Sequence, residues 1–477
     1  MSVTVPVIPT PANFLDNESE FYRFLLRCQE NLSDDSSQII SYSQWIDPVD
    51  PLTVLAAIIP ENRVHFYWEN CHRQEAMVSY GITKSLEING SDRFIQSQQF
   101  IQSCFQQMLP VGVISELDFS PKILCGFTFF DSPPENSSFP AAFLFLPQVQ
   151  LLKKQNKFFL ILNFIVDKNT NLKNLIQQIY QQIEFIKIKK SPESSFLDSP
   201  HQSKFPQSFQ INHLSHLEKS VNKILTSIQA NHFSKLVIAQ ALDIVAPTDF
   251  KITNCLQNLR QNYADCYVFS LSNGRNNCFL GASPERLISI QNQQLVTDAL
   301  AGSAPRGKTK REDLSNANHL LQSEKEKREH QAVIEFIMRR LEELGLSPQR
   351  SPLKLLKLSN IQHLWTPIYA QLKPPIHPLE IIAKLHPTPA VAGVPTQVAC
   401  AAIQKYETFE RSLYASPLGW VDYQGNSEFI VGIRSALIHK NKARLYAGAG
   451  IVAGSDPVKE LAEIELKLQA LLQALNY

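Results

Sequence analysis

Glycine is scarce in this chain, with 16 residues in 477, and sulfur is used sparingly, with 8 cysteines and 4 methionines. The cysteines at positions 28, 71, 104, 125, 255, 266, 278 and 400 contain no C-x-x-C pair. A zinc-ligand spacing and a redox dithiol are therefore both absent, and a chain this long needs no disulfide staples. No uncharged apolar stretch approaches the roughly 18 residues of a membrane helix. The stretch from Met1 to Tyr22 holds no Lys or Arg and contains Asn13, Asp16 and Glu18, so it lacks the basic start and apolar run of a secretory signal. A formal charge of +1 gives no overall field to draw nucleic acid or anionic lipid. No internal repeat is visible. These absences lead to the expectation of a cytoplasmic globular protein with ordinary reduced thiols and neither a nucleic-acid nor a membrane partner.

What is present is unevenly spread. Apolar content of 44% is that of a folded domain, and the length allows a large core. Twelve of the sixteen glycines lie beyond residue 270, which places close backbone approach in the C-terminal half. Residues 1–185 mix strand-like runs, Val54–Ile59 and Phe158–Leu162, with a helical pattern over Leu172–Ile188. Residues 186–210 are rich in Ser, Pro and charge and are expected to form a linker or surface loop. From residue 211 to 477 the pattern is denser.

There, Leu217–Ala230 is expected to be helical and to lead into a strand over Leu236–Leu242. Cys266–Leu271 and Cys278–Gly281 form a candidate strand pair around Asn273-Gly274. Asn318–Leu344 carries Val333, Ile334, Ile337, Met338 and Leu341 on one helical face and stops at Gly345. A last helix starts at Ser455-Asp456-Pro457 and runs to about Ala474. Strands and helices without βαβ regularity predict an α+β fold.

Two acidic helices stand out. Glu326 and Glu329 are three residues apart and share a face, as do Glu460 and Glu463, with Lys467 one turn further on. Like charges at that spacing cost helix stability unless neutralised, and a Mg²⁺ ion, which takes oxygen ligands, would neutralise them. Each pair alone reads better as a solvated face of an ordinary amphipathic helix. Lys235 opens an otherwise apolar strand, and Glu285 sits in a Ser-Pro-Glu-Arg turn. In isolation these are a snorkelling lysine and a turn carboxylate paired with Arg286.

The ordered motifs Lys235–Ala239, Phe279–Leu287, Ala299–Ser303, Glu329-His330, His386–Gly393, Ile433–Ser435 and Gly448–Val452 resemble those of the chorismate-utilising enzymes. That family includes isochorismate synthase, salicylate synthase and anthranilate synthase component I. The resemblance implies a large mixed α/β sandwich, chorismate as substrate and Mg²⁺ as cofactor. It makes Glu329 and Glu463 the metal ligands, supported by Glu326 and Glu460. Arg434, Lys467 and the backbone around Gly448 and Gly302 would hold the substrate's oxygens. Phe66–Glu69 is the main match in the first 185 residues.

By the same resemblance Lys235 is the general base that activates water for attack at C2, and Glu285 the general acid for the departing C4 hydroxyl. These roles need a neutral lysine and a protonated carboxyl, against ordinary values of about 10.4 and 4.3. A desolvated pocket favours the uncharged form of each. Among relatives, anthranilate synthases carry a non-basic residue at the position of Lys235. Aminodeoxychorismate synthases that form a covalent adduct have lysine at the position of Ala301. Lyases that release pyruvate tend to carry threonine at the position of Ala390.

These positions together imply a reversible isochorismate synthase, with salicylate synthase or a non-catalytic chorismate-binding protein as alternatives, and no amidotransferase subunit. Isochorismate feeds quinones such as menaquinone and phylloquinone as well as salicylate and catechol siderophores. His330 and His363 are expected to orient other groups. Where related strands end in Arg, this chain has Gln240.

Overall fold

A computed structural model describes residues 18–113, 119–188, 214–372 and 376–475. In chain order, the first part contains α1 (Glu18–Glu30), β1 (Ser37–Trp45), α2 (Pro51–Ile58), β2 (His65–Asn70), β3 (Glu75–Tyr80) and β4 (Lys84–Ile88). It continues with α3 (Arg93–Gln106), β5 (Met108–Gly112), β6 (Lys122–Phe127), β7 (Ala142–Leu146), β8 (Val149–Lys154), β9 (Lys157–Asp167) and α4 (Leu172–Ile188). The second part opens with α5 (Leu214–Gln229), β10 (Lys235–Val245), α6 (Ile252–Asn262), β11 (Tyr267–Ser272), β12 (Asn277–Ser283), β13 (Arg286–Gln291) and β14 (Gln294–Pro305). Then come α7 (Lys310–Gln322), α8 (Glu324–Glu343), β15 (Gln349–Arg350), β16 (Lys354–Lys357), β17 (Ile361–Gln371), α9 (Pro378–Leu385) and β18 (Gly393–Val394). The chain ends with α10 (Thr396–Tyr406), β19 (Pro417–Asp422), β20 (Ser427–Val431), β21 (Ser435–His439), β22 (Lys442–Val452) and α11 (Pro457–Leu475).

The strands form two sheets. One has the order β18-β10-β22-β21-β12-β11-β2-β3-β8-β9-β1-β5; the other runs β15-β17-β14-β13-β20-β19-β6-β7-β4, with β16 also paired to β17. Pairing is antiparallel throughout except between β1 and β5. The sheets face each other: a Cβ added to Gly126 of β6 would come 2.6 Å from a methyl of Leu271 on β11. One apolar cluster fills the space between, including Leu124, Phe279, Leu280, Ile288 and Phe429, each fully buried. This is a mixed helix-and-sheet sandwich of the α+β class, as expected. Among the described residues no helix is long and apolar enough to cross a membrane.

Each sheet has a single seam between the two parts of the chain. β11 pairs with β2 in the first sheet, and β19 pairs with β6 in the second. Residues up to 188 thus extend both sheets that the later residues begin. Most of the expected linker, from residue 189, lies outside the described residues, while residues 186–188 close α4.

Two expectations are corrected. Val54–Ile59 belongs to a helix rather than a strand: Asp50 accepts from the Leu52 amide and Pro51 occupies the first turn, so capping outweighs a run of β-branched and aliphatic residues. The long helix over Asn318–Leu344 is in fact two. Its first residues belong to α7, Ser323 is extended (φ −66°, ψ 112°), and the Ser323 hydroxyl caps α8 by accepting from the Glu326 amide. Gly345 then terminates α8 at φ +73°, a left-handed conformation that glycine adopts without a Cβ penalty.

Candidate active site

Lys235 is the first residue of β10, hydrogen-bonded between β22 and β18, with Val452 and Val394 as its register partners. Its side chain is 3% exposed, and Nζ donates to Glu329 Oε1 at 2.7 Å. The ammonium does not snorkel to solvent. Room for this contact comes from Gly450 on β22, where an added Cβ would stand 3.1 Å from both Glu329 Oε1 and Lys235 Cε.

Glu285 lies between β12 and β13 and is 5% exposed. The Ser283 hydroxyl accepts from its amide, and its carbonyl accepts from the Val431 amide, so its backbone is held on both sides. Burial pushes its carboxyl up to about 8, with Asp298 adding to the rise and Lys235 and Lys467 opposing it. Arg286 does not pair with Glu285, as the turn reading had it. Arg286 donates instead to Asp298, which also accepts from the Trp365 indole.

Glu285 lines a cavity of about 110 Å³ formed by residues of both sheets and two helices. Lys235 is not among the lining residues but adjoins the cavity through its bond to Glu329 and its packing beside Gly450, both of which line it. β10 and β22 supply Val237, Tyr446, Gly448 and Gly450; β14 and β17 supply Ala301, Gly302, Ser303 and His363. Ala390, Arg434, Glu285, Glu329, Glu463 and Lys467 also line it, whereas Lys235, Glu326 and Glu460 of the predicted set do not. Gly302 occupies a bulge in β14 at φ +80°, and a Cβ there would come within 3.1 Å of Glu326 Oε2.

The four helix glutamates lie within electrostatic reach of one another, and three lysines offset them. Lys235 holds Glu329, Lys325 holds Glu460 at 3.0 Å and lies 3.6 Å from Glu326, and Lys467 holds Glu463 at 2.7 Å. Burial, followed by the charges of Glu329 and Glu463, pushes Glu326 up to about 7; burial likewise raises Glu460. Among the described residues, no three His, Cys, Asp or Glu side chains are drawn together as a ligand set. The chemistry of the cluster nevertheless fits a hard cation: the donors are all oxygens, and one carboxylate is pushed up to about 7 by burial first and its neighbours' negative charge second.

Several contacts were not anticipated. Lys467 Nζ also donates to the Gly448 carbonyl at 2.8 Å, so this amine ties α11 to β22. Arg434, in the left-handed region at φ +50°, donates to His363 Nε2 at 3.0 Å. A guanidinium cannot accept, so His363 carries its proton on Nδ1 and donates it to Ser303 Oγ at 3.0 Å. Burial and the nearby Arg434 and Lys467 hold this imidazole well below its usual range, and it is neutral. His330 bonds Thr366 at 2.8 Å, and burial lowers it to about 4. Tyr414 and Tyr446 stack at 5.1 Å to form an aromatic wall of the cavity. Lys325 and Asp298 carried no signal of their own in the sequence; their partners are fixed only by folding.

A larger cavity of about 240 Å³ lies at the seam of the two parts, lined by Trp68, Phe119, Lys122, Trp420 and Glu428 among others. Its Glu428 already accepts from Arg73 and Tyr267. Of its other charged side chains, Lys122 lies 3.9 Å from Asp422 and Lys154 lies 3.5 Å from Glu75.

Comparison with known proteins agrees with this geometry. The salicylate biosynthesis isochorismate synthase of Pseudomonas aeruginosa is 31% identical over 453 residues, covering 93% of this chain and 91% of that protein. Isochorismate synthase MenF of Bacillus subtilis is 29% identical over 452 residues, covering 92% and 93%. Among solved structures, the menaquinone-specific isochorismate synthase MenF of Escherichia coli superimposes with a TM-score of 0.76 at 26% identity, covering 96% of this chain and 99% of that one. Anthranilate synthase component I of Streptococcus pneumoniae shares the fold, with a TM-score of 0.65 at 18% identity. The family described as chorismate binding enzyme matches residues 23–476, and this chain belongs to that family.

Proposed function

We propose that this protein is an isochorismate synthase, an isomerase that moves the ring hydroxyl of chorismate from C4 to C2. The observation that carries the reading is a buried carboxyl whose proton is retained up to about pH 8, Glu285, on the wall of one cavity, with the buried amine of Lys235 bonded to another wall residue, Glu329. Chemistry that removes a proton from water and delivers one to a leaving hydroxyl needs this pair of opposite functions. The full-length similarity to isochorismate synthases of two bacteria supports the same reading.

Arg434 and Lys467 offer the cations for the substrate's carboxylates, with Gly302 and Gly448 leaving the backbone open to close approach. Lys235 takes a proton from water as its oxygen bonds to C2; the ring double bonds shift, and Glu285 gives its proton to the C4 hydroxyl, which departs as water. Water is consumed and released in equal number, so substrate and product are isomers and the reaction is reversible. Lys235 has to be free of Glu329 to accept that proton.

Glu329 and Glu463, backed by Glu326 and Glu460, would hold Mg²⁺. The ion would supply positive charge to bind the ring carboxylate against this acidic floor. With Glu329 so engaged, the Lys235 amine loses its present partner.

Incubation of the purified protein with chorismate and Mg²⁺, followed by chromatography and a pyruvate assay, tests the proposal. The expected result is a chorismate–isochorismate mixture without pyruvate, dependent on Mg²⁺. Pyruvate and salicylate formed without a second enzyme would replace it with salicylate synthase, and binding without conversion would leave a non-catalytic protein.

A further inference from the structure

Arg411 is 1% exposed, and its guanidinium touches neither the cavity nor solvent. Two of its hydrogen bonds instead support segments that line the cavity. One NH2 hydrogen bond, 2.9 Å, goes to the Val237 carbonyl on β10, two residues from Lys235; NH1 donates to the Val391 carbonyl at 2.8 Å, next to Ala390. Its remaining donors pair with Glu407, at 2.8 Å from Nε and 2.6 Å from NH2. Glu407 in turn accepts from the Ala239 amide of β10 at 2.8 Å. The plane of Arg411 lies 4.4 Å from the Phe129 ring centre and 5.8 Å from that of Tyr414, which lines the cavity.

We infer that Arg411 is a positioning residue for the proposed reaction, one planar fork that fixes the spacing between the strand bearing Lys235 and the loop bearing Ala390. The inference rests on the isochorismate synthase reading for its kinetic consequence, though not for its geometry. Beyond the fork, those two segments meet through the short β10–β18 pairing and the Val237 N–H to the Ala392 carbonyl at 2.8 Å, all of it C-terminal to Val391. The five donors of a guanidinium lie in one rigid plane and reach two carbonyls and a carboxylate together; the point charge of a lysine cannot. A buried, fully satisfied network of this kind selects one arrangement of the backbone it joins.

Two variants test this. Arg411→Lys keeps the charge opposite Glu407 but not the fork. Glu407→Gln/Arg411→Met removes both charges, so no buried ion is left alone. Loss of the fork lets the ring drift from the amine, and a misplacement near 1 Å costs on the order of 100-fold. In either variant that folds, kcat falls at least about 30-fold with KM changed less than about threefold, and amide exchange quickens over residues 235–239 and 388–394. A folded variant with kcat within about threefold of the parent, or with parental exchange in both segments, overturns the inference. If the parent itself does not convert chorismate, the functional reading fails separately and the exchange measurement alone decides the role of Arg411.

Discussion

Lys235 and Glu285 have opposite tasks in one environment, and burial serves the carboxyl. Its value of about 8 places the acid form in excess at neutral pH. The rate, kcat/KM, is therefore expected to fall as pH rises through about 8, the direction expected for loss of a required proton; a rate that climbs through that range would exclude Glu285 as the acid. The sign for stability is the same. Raised above its unfolded value, Glu285 binds a proton in the folded state that the unfolded chain has released. Its contribution is complete below about pH 4.5 and is lost as pH rises to about 8, at up to about 1.4 kcal/mol per pH unit. Glu326, held up to about 7, adds to that slope. Urea unfolding at pH 5.5 and pH 8 is expected to show a smaller difference for Glu285→Gln than for the parent. Replacing Lys235 with Ala is expected to lower turnover about 10²–10⁴-fold while equilibrium binding of chorismate survives; unchanged turnover would remove it as the base.

The helices α8 and α11 carry the carboxylates on faces that packing turns inward, α8 against β14 and α11 against β22. Three lysines from three different elements now share that charge. A divalent ion that replaces them should link α8 to α11 and stabilise the folded state by mass action. Millimolar Mg²⁺ is expected to raise the melting temperature by a few degrees, and Glu329→Gln or Glu463→Gln to abolish most of that rise without unfolding the protein. An equal rise in both variants would place the ion elsewhere.

Which of these elements could be read in advance follows from where their causes lie. α11 announced itself through Asp456 and Pro457, because a cap is written in adjacent residues. Ser323 has the same chemistry, yet it lies in a charged run of good helix formers with neither Pro nor Gly, which hid the break between α7 and α8. The glutamate spacings were legible for the same local reason. His363 with Arg434, 71 residues apart, and Arg411 with Val237, 174 apart, were not, since only the sheet register brings them together.

The cavity is built wholly from elements after residue 214, but the sheets that hold it are not. Six strands of the first sheet come from the later part, and they end at β11; in the second sheet the later strands end at β19. Cutting there would bare two paired edges together with an apolar face. Expressed alone, residues 211–477 are expected to aggregate and show no cooperative melt; a monodisperse, cooperatively melting fragment would show the earlier residues to be dispensable.

The central claim is that water, activated beside Lys235, becomes the new hydroxyl. Turnover of chorismate in H₂¹⁸O with mass spectrometry of the isochorismate formed tests it most directly. One ¹⁸O at C2 after a single turnover is the predicted result, with the original C4 oxygen released to solvent. Product that retains only ¹⁶O at C2 would contradict it, because the hydroxyl would then have migrated within the substrate.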